Sequence, residues 1–355
     1  IGLKEDKNSV KIVLENVNNK KIQEVTSKYI VGCDGANSTI RKQIKSKFQN
    51  LGFTQKWAVI DLILKKDKKE LPDRTIQYSN SKRPATYCRN VGKRRRWEFA
   101  IHNSESEKQV LSNSYIWKFL KPWLKPRDAY MERKTIYTFQ SAISKRWRKG
   151  RVFLAGDAAH LMPPFMGQGM CAGIRDVSNL AWKISYCLKN NHNEKLLNTY
   201  QSERYSNVKE YIKTTAKMGE FVNAIGTSNI TGEVSSTPDG QKSMRSIKPK
   251  LGKGLGSVKD KNRGKIFPQF NINYTKSLDV KFSLKPILIL SKEIKKNISK
   301  KINSVQSKKN KNLEKFFENS NSKAVIVRPD RFILSSCKSV KDFKSYLARN
   351  LFFLT

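Results

Sequence analysis

Residues 150–184, GRVFLAGDAAHLMPPFMGQGMCAGIRDVSNLAWKI, constrain the fold of this chain more than any other stretch. Residues 152–155 are an apolar run with the length and boundaries of a buried strand. Gly156-Asp157 follows, then small alanines, Pro163-Pro164 and a Gly167-Gln168-Gly169 turn. From Gln168 onward Leu180, Trp182, Ile184 and Leu188 recur at helical spacing, which predicts an amphipathic helix. A strand that delivers an acid and a glycine turn to a helix N-terminus is a place to hold a polar, electron-rich ligand.

A second arrangement of the same kind lies upstream. Residues 10–14 and 25–31 read as strands separated by a turn at Asn18-Asn19, and the second runs into Gly32-Cys33-Asp34-Gly35. Ser38 is a good N-cap for the helix expected next, and the extended string is YIVGCDGANSTIR. Between the two arrangements, residues 56–64, 75–79, 85–89, 95–101 and 135–142 read as short strands, with helical material over 107–120. An antiparallel sheet inserted into an α/β domain is the expected architecture. Downstream, residues 193–218 form a long helix and 225–265 a Gly/Ser/Thr/Lys-rich loop. Residues 291–312, nearly all Lys, Asn, Ser and Ile, are expected to be helical at best. Residues 324–327 and 328–334 predict two strands joined at a turn, and 340–353 a short amphipathic helix.

At 355 residues the chain can bury a sizeable core. The expected division is 1–50 and 146–220 for the α/β unit, 51–145 for the sheet, and 221–355 for a linker and C-terminal region. The net charge of +42 comes from 71 Lys and Arg against 29 Asp and Glu. Lysines are scattered through nearly every segment instead of forming a stripe, so the charge argues for solubility and against a specific nucleic-acid site. The run Lys93-Arg94-Arg95-Arg96-Trp97 reads as a strand with one wet face. Five cysteines without a CxxC pair, and three histidines, argue against a disulfide framework and a metal site and favour a cytoplasmic setting. No apolar run is long enough for a membrane span.

YIVGCDGANSTIR and RVFLAGDAAHLMPPFMGQGMCAGIRDVSNLAWK resemble the second and third signatures of the class A FAD-dependent aromatic monooxygenases, the para-hydroxybenzoate hydroxylase superfamily. MPPFMGQGM, RRRWEF and AVIVRPDRFIL bring the resemblance nearest to the 3-(3-hydroxyphenyl)propionate hydroxylase branch. It implies an FAD-binding Rossmann-like domain of the GR2 type, an inserted substrate-binding sheet and a partial thioredoxin-like C-terminal region. It implies a monooxygenase that hydroxylates a phenolic acid with NADH or NADPH and O2, with a small aromatic substrate as its partner and a possible homodimer.

The resemblance also implies site residues. Asp157 accepts from the ribityl hydroxyls, and Gly156 lets the backbone approach closely because it has no Cβ. Pro163 and Pro164 hold a stiff loop near the reacting centre. Gly167, Gln168, Gly169 and Met170 lie on the N1–C2=O side of the ring at a helix N-terminus. Asp34 and Arg41 belong to the FAD and nicotinamide region, and a ring pocket is expected around Tyr78, Phe99 and Ile101. No side chain is assigned to catalysis, since the flavin carries the chemistry, and His160 is structural in this family. The first signature, GxGxxG, has no match here, and an N-terminal truncation is expected from that and from the Ile1 start. The rival readings are another flavin oxidoreductase, an inactive flavoprotein, and a basic nucleic-acid- or membrane-associated protein.

Overall fold

The computed structural model describes residues 2–78, 83–190, 194–223, 234–236, 242–244, 247–270, 286–294, 304–307, 310–339 and 342. The chain opens on an antiparallel meander of β1 (Leu3–Glu5), β2 (Val10–Glu15) and β3 (Ile22–Ser27). The single strand expected over 25–31 is two, because the chain turns at Lys28-Tyr29 before β4 (Ile30–Gly32). Helix α1 (Thr39–Gln43) then starts at Ser38, whose hydroxyl accepts from the Arg41 amide at 2.9 Å, the cap read from sequence.

A six-stranded antiparallel sheet follows. Five of its strands are β5 (Phe48–Leu64), β6 (Ile76–Tyr78), β7 (Ala85–Arg89), β8 (Arg94–Ala100) and β9 (Ala129–Ser144), with helices α2 (Glu107–Val110) and α3 (Asn113–Leu120) between β8 and β9. β5 and β9 are far longer than the strands expected over 56–64 and 135–142, and bulges at Asn50/Thr54 and Asp61/Leu62 let them bend. Alternation gives the sheet two faces. Ala58, Ile60, Leu62, Tyr87, Trp97 and Phe99 pack against Ile116 and Leu120 of α3. Trp57 and Ala100 turn the other way, toward Phe139, Phe165 and Val222.

The chain then returns beside β4. A short β10 (Arg148–Lys149) pairs with β11 (Val152–Leu154), and β11 lies parallel to β4 with Val152 opposite Ile30 and Leu154 opposite Gly32. β12 (His160–Leu161) joins the edge of the six-stranded sheet beside β9. Helix α4 (Gly169–Lys189) and helix α5 (Glu194–Asn223) cover β11, whose Phe153 and Leu154 share a core with Trp147, Leu180, Trp182, Leu197 and Tyr200. The Tyr200 hydroxyl donates to the Leu154 carbonyl at 2.8 Å, fixing the end of the strand.

Beyond α5 a two-stranded piece, β13 (Val234–Ser236) and β14 (Lys242–Met244), precedes a four-stranded sheet ordered β16-β15-β17-β18. Its strands are β15 (Ile287–Leu290), β16 (Ser304–Gln306), β17 (Ala324–Val327) and β18 (Ile333–Cys337), with α6 (Lys311–Ser320) between β16 and β17. The hairpin expected at 324–334 is present. β15, β16 and α6 were not expected, and most of the 340–353 helix and much of the 225–265 loop lie outside the described residues.

The C-terminal sheet is tied to α4 and α5 by a fully buried polar network. Arg328 donates to both Glu203 oxygens at 2.8 Å and to Asp330 at 2.6 Å, while Lys183 and Asn179 donate to Glu203 at 2.7 and 3.0 Å. Asn179 also donates to Asp330 at 2.9 Å. Burial raises the Glu203 carboxyl, but Arg328 and Lys183 outweigh it and hold the group well below its ordinary value.

Candidate functional site

The two glycine-acid turns leave the carboxyl ends of adjacent parallel strands. The Ala155 amide donates to the Gly32 carbonyl at 3.0 Å where the strands stop. Beyond that bond come Asp34 on one side and Asp157 on the other. In open α/β sheets the crevice past the carboxyl ends of the strands is where ligands bind. Glycine at position 32 is required by packing, because a Cβ there would lie 2.7 Å from the Ile40 Cβ of α1.

Asp34 caps the turn. Its carboxylate accepts from the Ser38 hydroxyl at 2.6 Å and the Ile40 amide at 3.0 Å. Partial burial pushes its pKa up, but these bonds and the Thr39 amide outweigh that and hold it below the usual carboxylate value. Arg41 is buried, lies 3.8 Å over the Phe48 ring, and donates to the Ala36 carbonyl at 2.7 Å and the Ala158 carbonyl at 3.0 Å. It therefore laces the two turns together.

The Gly156–Ala158 turn is pinned from both ends while its middle residue faces solvent. Gly156 has φ +59°, open to glycine at little cost, and its amide donates to Asp176 of α4 at 3.0 Å. Asp176 is fully buried and also accepts from His160 Nε2 at 2.5 Å and Arg204 Nε at 2.8 Å. Burial raises its carboxyl, and His160 and Arg204 more than offset this. Helix α4 comes this close because Gly173 faces Gly156, where a Cβ on Gly173 would sit 3.4 Å from the Gly156 Cα. The exposed Asp157 side chain has no hydrogen-bond partner among the described residues.

After β12 the chain presents Pro163, buried, and Pro164, exposed, in a single 3₁₀ turn that closes at Gly167 with φ +60°. The Gly167 amide donates to the Pro164 carbonyl at 2.8 Å, so this turn consumes the Gly167 N–H expected to face a ligand. Helix α4 starts with no side-chain cap. The Ala172 amide bonds the Gln168 carbonyl, leaving the amides of Gly169, Met170 and Cys171 without intrahelical acceptors. The Gln168 side chain accepts from Arg175, and Met170 is 76% exposed. Phe165 turns inward against Phe53, Trp57 and Phe139, with ring centroids 5.7, 5.6 and 6.3 Å away.

Tyr78, Phe99 and Ile101 lie elsewhere. Phe99 is fully buried 4.0 Å from the Phe119 ring, Tyr78 packs on Trp123 at 5.2 Å, and Ile101 shares their core. The physical reason is the period of two along a strand: Phe99 faces α3, and its neighbour Ala100 faces Phe165. These residues form the core on the far face, away from the Pro164 loop.

Residues 1–215 match the family model described as FAD binding domain. The chain belongs to this family. Among its curated relatives are proteins named as hydroxylases of phenolic compounds. A probable NADH-specific resorcinol 4-hydroxylase of Rhodococcus jostii (strain RHA1) is 34% identical over 250 residues, 69% of this chain and 46% of that protein. A 3-(3-hydroxy-phenyl)propionate/3-hydroxycinnamic acid hydroxylase of Mycolicibacterium smegmatis is 34% identical over 199 residues, 56% of this chain and 35% of that protein. The chain thus spans about half or less of the relatives it matches. Two solved structures share the fold. Aklavinone-11 hydroxylase with FAD and aklavinone has a TM-score of 0.72 at 16% identity, covering 98% of this chain and 72% of that one. The monooxygenase PieE with FAD and substrate has a TM-score of 0.72 at 15% identity, covering 98% and 74%.

The residues of this chain suit such a cofactor. Asp157, a carboxylate without a hydrogen-bond partner among the described residues, matches a polyol, and the start of α4, which has no side-chain cap, matches a group that gains negative charge on reduction. Sequence reasoning overlooked Asp176 and Arg204. The signal was a charged residue on the apolar side of each helix, at positions where periodicity called for core.

Proposed function

We propose that this chain forms the ribityl-and-ring half of the FAD site of an aromatic hydroxylase that uses NADH or NADPH and O2. Its substrate would be a small phenolic acid such as 3-(3-hydroxyphenyl)propionate. The observation that carries the reading is the convergence of Asp34, Asp157 and the uncapped α4 N-terminus past the ends of β4 and β11. A bound flavin would supply the redox chemistry between the nicotinamide and O2. Asp157 would hold the ribityl chain, and the amides of Gly169 and Met170 would stabilise charge at one edge of the ring. Asp34, already committed to α1, would shape the crevice more than grip the ligand. Pro163 and Pro164 would fix the loop over the ring.

The aromatic substrate would lie against the face carrying Trp57, Phe139 and Phe165 instead of the Phe99 face. In this reading the six-stranded sheet is the substrate layer and the C-terminal sheet a partial thioredoxin-like unit. The names of the relatives favour NADH and a phenolic substrate. The test adds 3-(3-hydroxyphenyl)propionate or resorcinol to the flavin-loaded protein and follows NADH oxidation and the visible flavin spectrum. Stimulation or a spectral shift by one phenol supports the reading, and no response to any phenol contradicts it.

A further inference from the structure

We infer that Asp176 is a positioning residue that holds the Asp157 carboxylate where a flavin ribityl chain would meet it. The inference rests on the flavin reading above and adds the residue that makes the site rigid. Asp176 is fully buried and comes from α4, whereas the turn it grips precedes α4 in the chain. Its Oδ2 accepts from the Gly156 amide at 3.0 Å and from His160 Nε2 at 2.5 Å, and its Oδ1 accepts from Arg204 at 2.8 Å. Each of its partners is itself anchored. Arg204 also donates to Asn207 and to the Ala172 carbonyl, and Asn207 donates to the Pro249 carbonyl at 2.6 Å. His160 lies in β12 against Trp147, and its buried Nδ1 has no partner among the described residues, so its hydrogen bonding is directed at Asp176.

The consequence is mechanical. The amide before Asp157 is held by Asp176 and the carbonyl after it by Arg41, leaving Asp157 as the one exposed residue of the turn. A carboxylate presented on a rigid turn loses less freedom on binding than one on a loose loop. Asparagine at 176 keeps the size but offers one acceptor oxygen where the aspartate offers two. It also sets an N–H against a donor, so the turn should relax.

The experiment measures flavin dissociation constants by fluorescence for this chain, using FAD and lumiflavin, which has no ribityl chain. Asp157→Ala, Asp176→Asn and the double variant are compared with the unaltered chain. The expected result is a loss of about tenfold in FAD affinity for each single variant and no further loss in the double, with lumiflavin unchanged. Equal losses for FAD and lumiflavin, additive losses, or wild-type binding by Asp176→Asn would overturn the inference. If Asp176→Asn does not fold, Arg204→Lys carries the same comparison with the same two outcomes. Absence of any flavin binding by the unaltered chain removes the functional reading first, and this inference with it.

Discussion

Arg41 donates to the carbonyl of Ala158 at 3.0 Å across 117 positions of sequence. The guanidinium is the bolt between the turn after β4 and the turn after β11, since it also holds the Ala36 carbonyl.

Replacing this arginine by methionine keeps an apolar stem but removes both the donors and the guanidinium that lies over Phe48. Buried hydrogen bonds from a charged group are worth about 1.5–3 kcal/mol each. Arg41→Met should therefore lower thermal stability by several degrees, read by differential scanning fluorimetry, and should weaken flavin binding as well. An unchanged melting temperature would show that the two turns do not depend on the bolt.

The buried network between α4, α5 and the C-terminal hairpin yields a second prediction. Arg328→Met removes a guanidinium that holds Glu203 and Asp330 and leaves both carboxylates buried with fewer partners. Stripping one partner from a buried pair costs about 3–5 kcal/mol. Denaturant unfolding of Arg328→Met should show that loss, and Glu203→Gln with Arg328→Met should lose less than the sum.

Acid sensitivity follows from the same groups. Asp176 and Glu203 are both held below their ordinary values of 3.8 and 4.5. The unfolded chain therefore takes up protons first, so their contribution is complete above about pH 5 and lost as pH falls through the window beneath it. Melting temperature should be flat from neutral pH to about 5 and then fall, with a shallower acid limb in Glu203→Gln. A melting temperature independent of pH down to 3 would contradict the network's role.

Much of this was legible in the sequence, for reasons that can be stated by residue. The Val152–Ala155 run, the Ser38 cap and the Gly156-Asp157 turn are local signals, and each appears where periodicity and turn chemistry put it. Phe99 misled because a large aromatic next to a family motif suggests a pocket, whereas only register tells which face of β8 it occupies. Asp176, Arg204, Lys183 and Glu203 were invisible as partners, because they pair across the α4–α5 interface and no spacing encodes a contact between helices. β15 and α6 were missed because their surroundings are rich in Lys and Asn, which hides a short apolar strand.

Cysteine chemistry offers an independent probe of the crevice. Cys33 is exposed beside Asp34, and partial burial with the Asp176 and Asp34 charges raises its thiol, whereas Cys88 and Cys337 are pushed up by burial to about 11, Cys187 is enclosed and Cys171 is half-buried. Native alkylation at pH 8 followed by mass spectrometry should modify Cys33 ahead of Cys88, Cys187 and Cys337, and FAD should protect it. Modification at an equal rate with saturating FAD would place the ligand elsewhere.

The central claim is that the crevice past β4 and β11 binds a flavin through Asp157. The direct measurement is a fluorescence titration of FAD with the purified chain and its Asp157→Ala variant. The account predicts saturable quenching at one flavin per chain, weakened about tenfold by the substitution. No saturable change, or identical binding by Asp157→Ala, would contradict it.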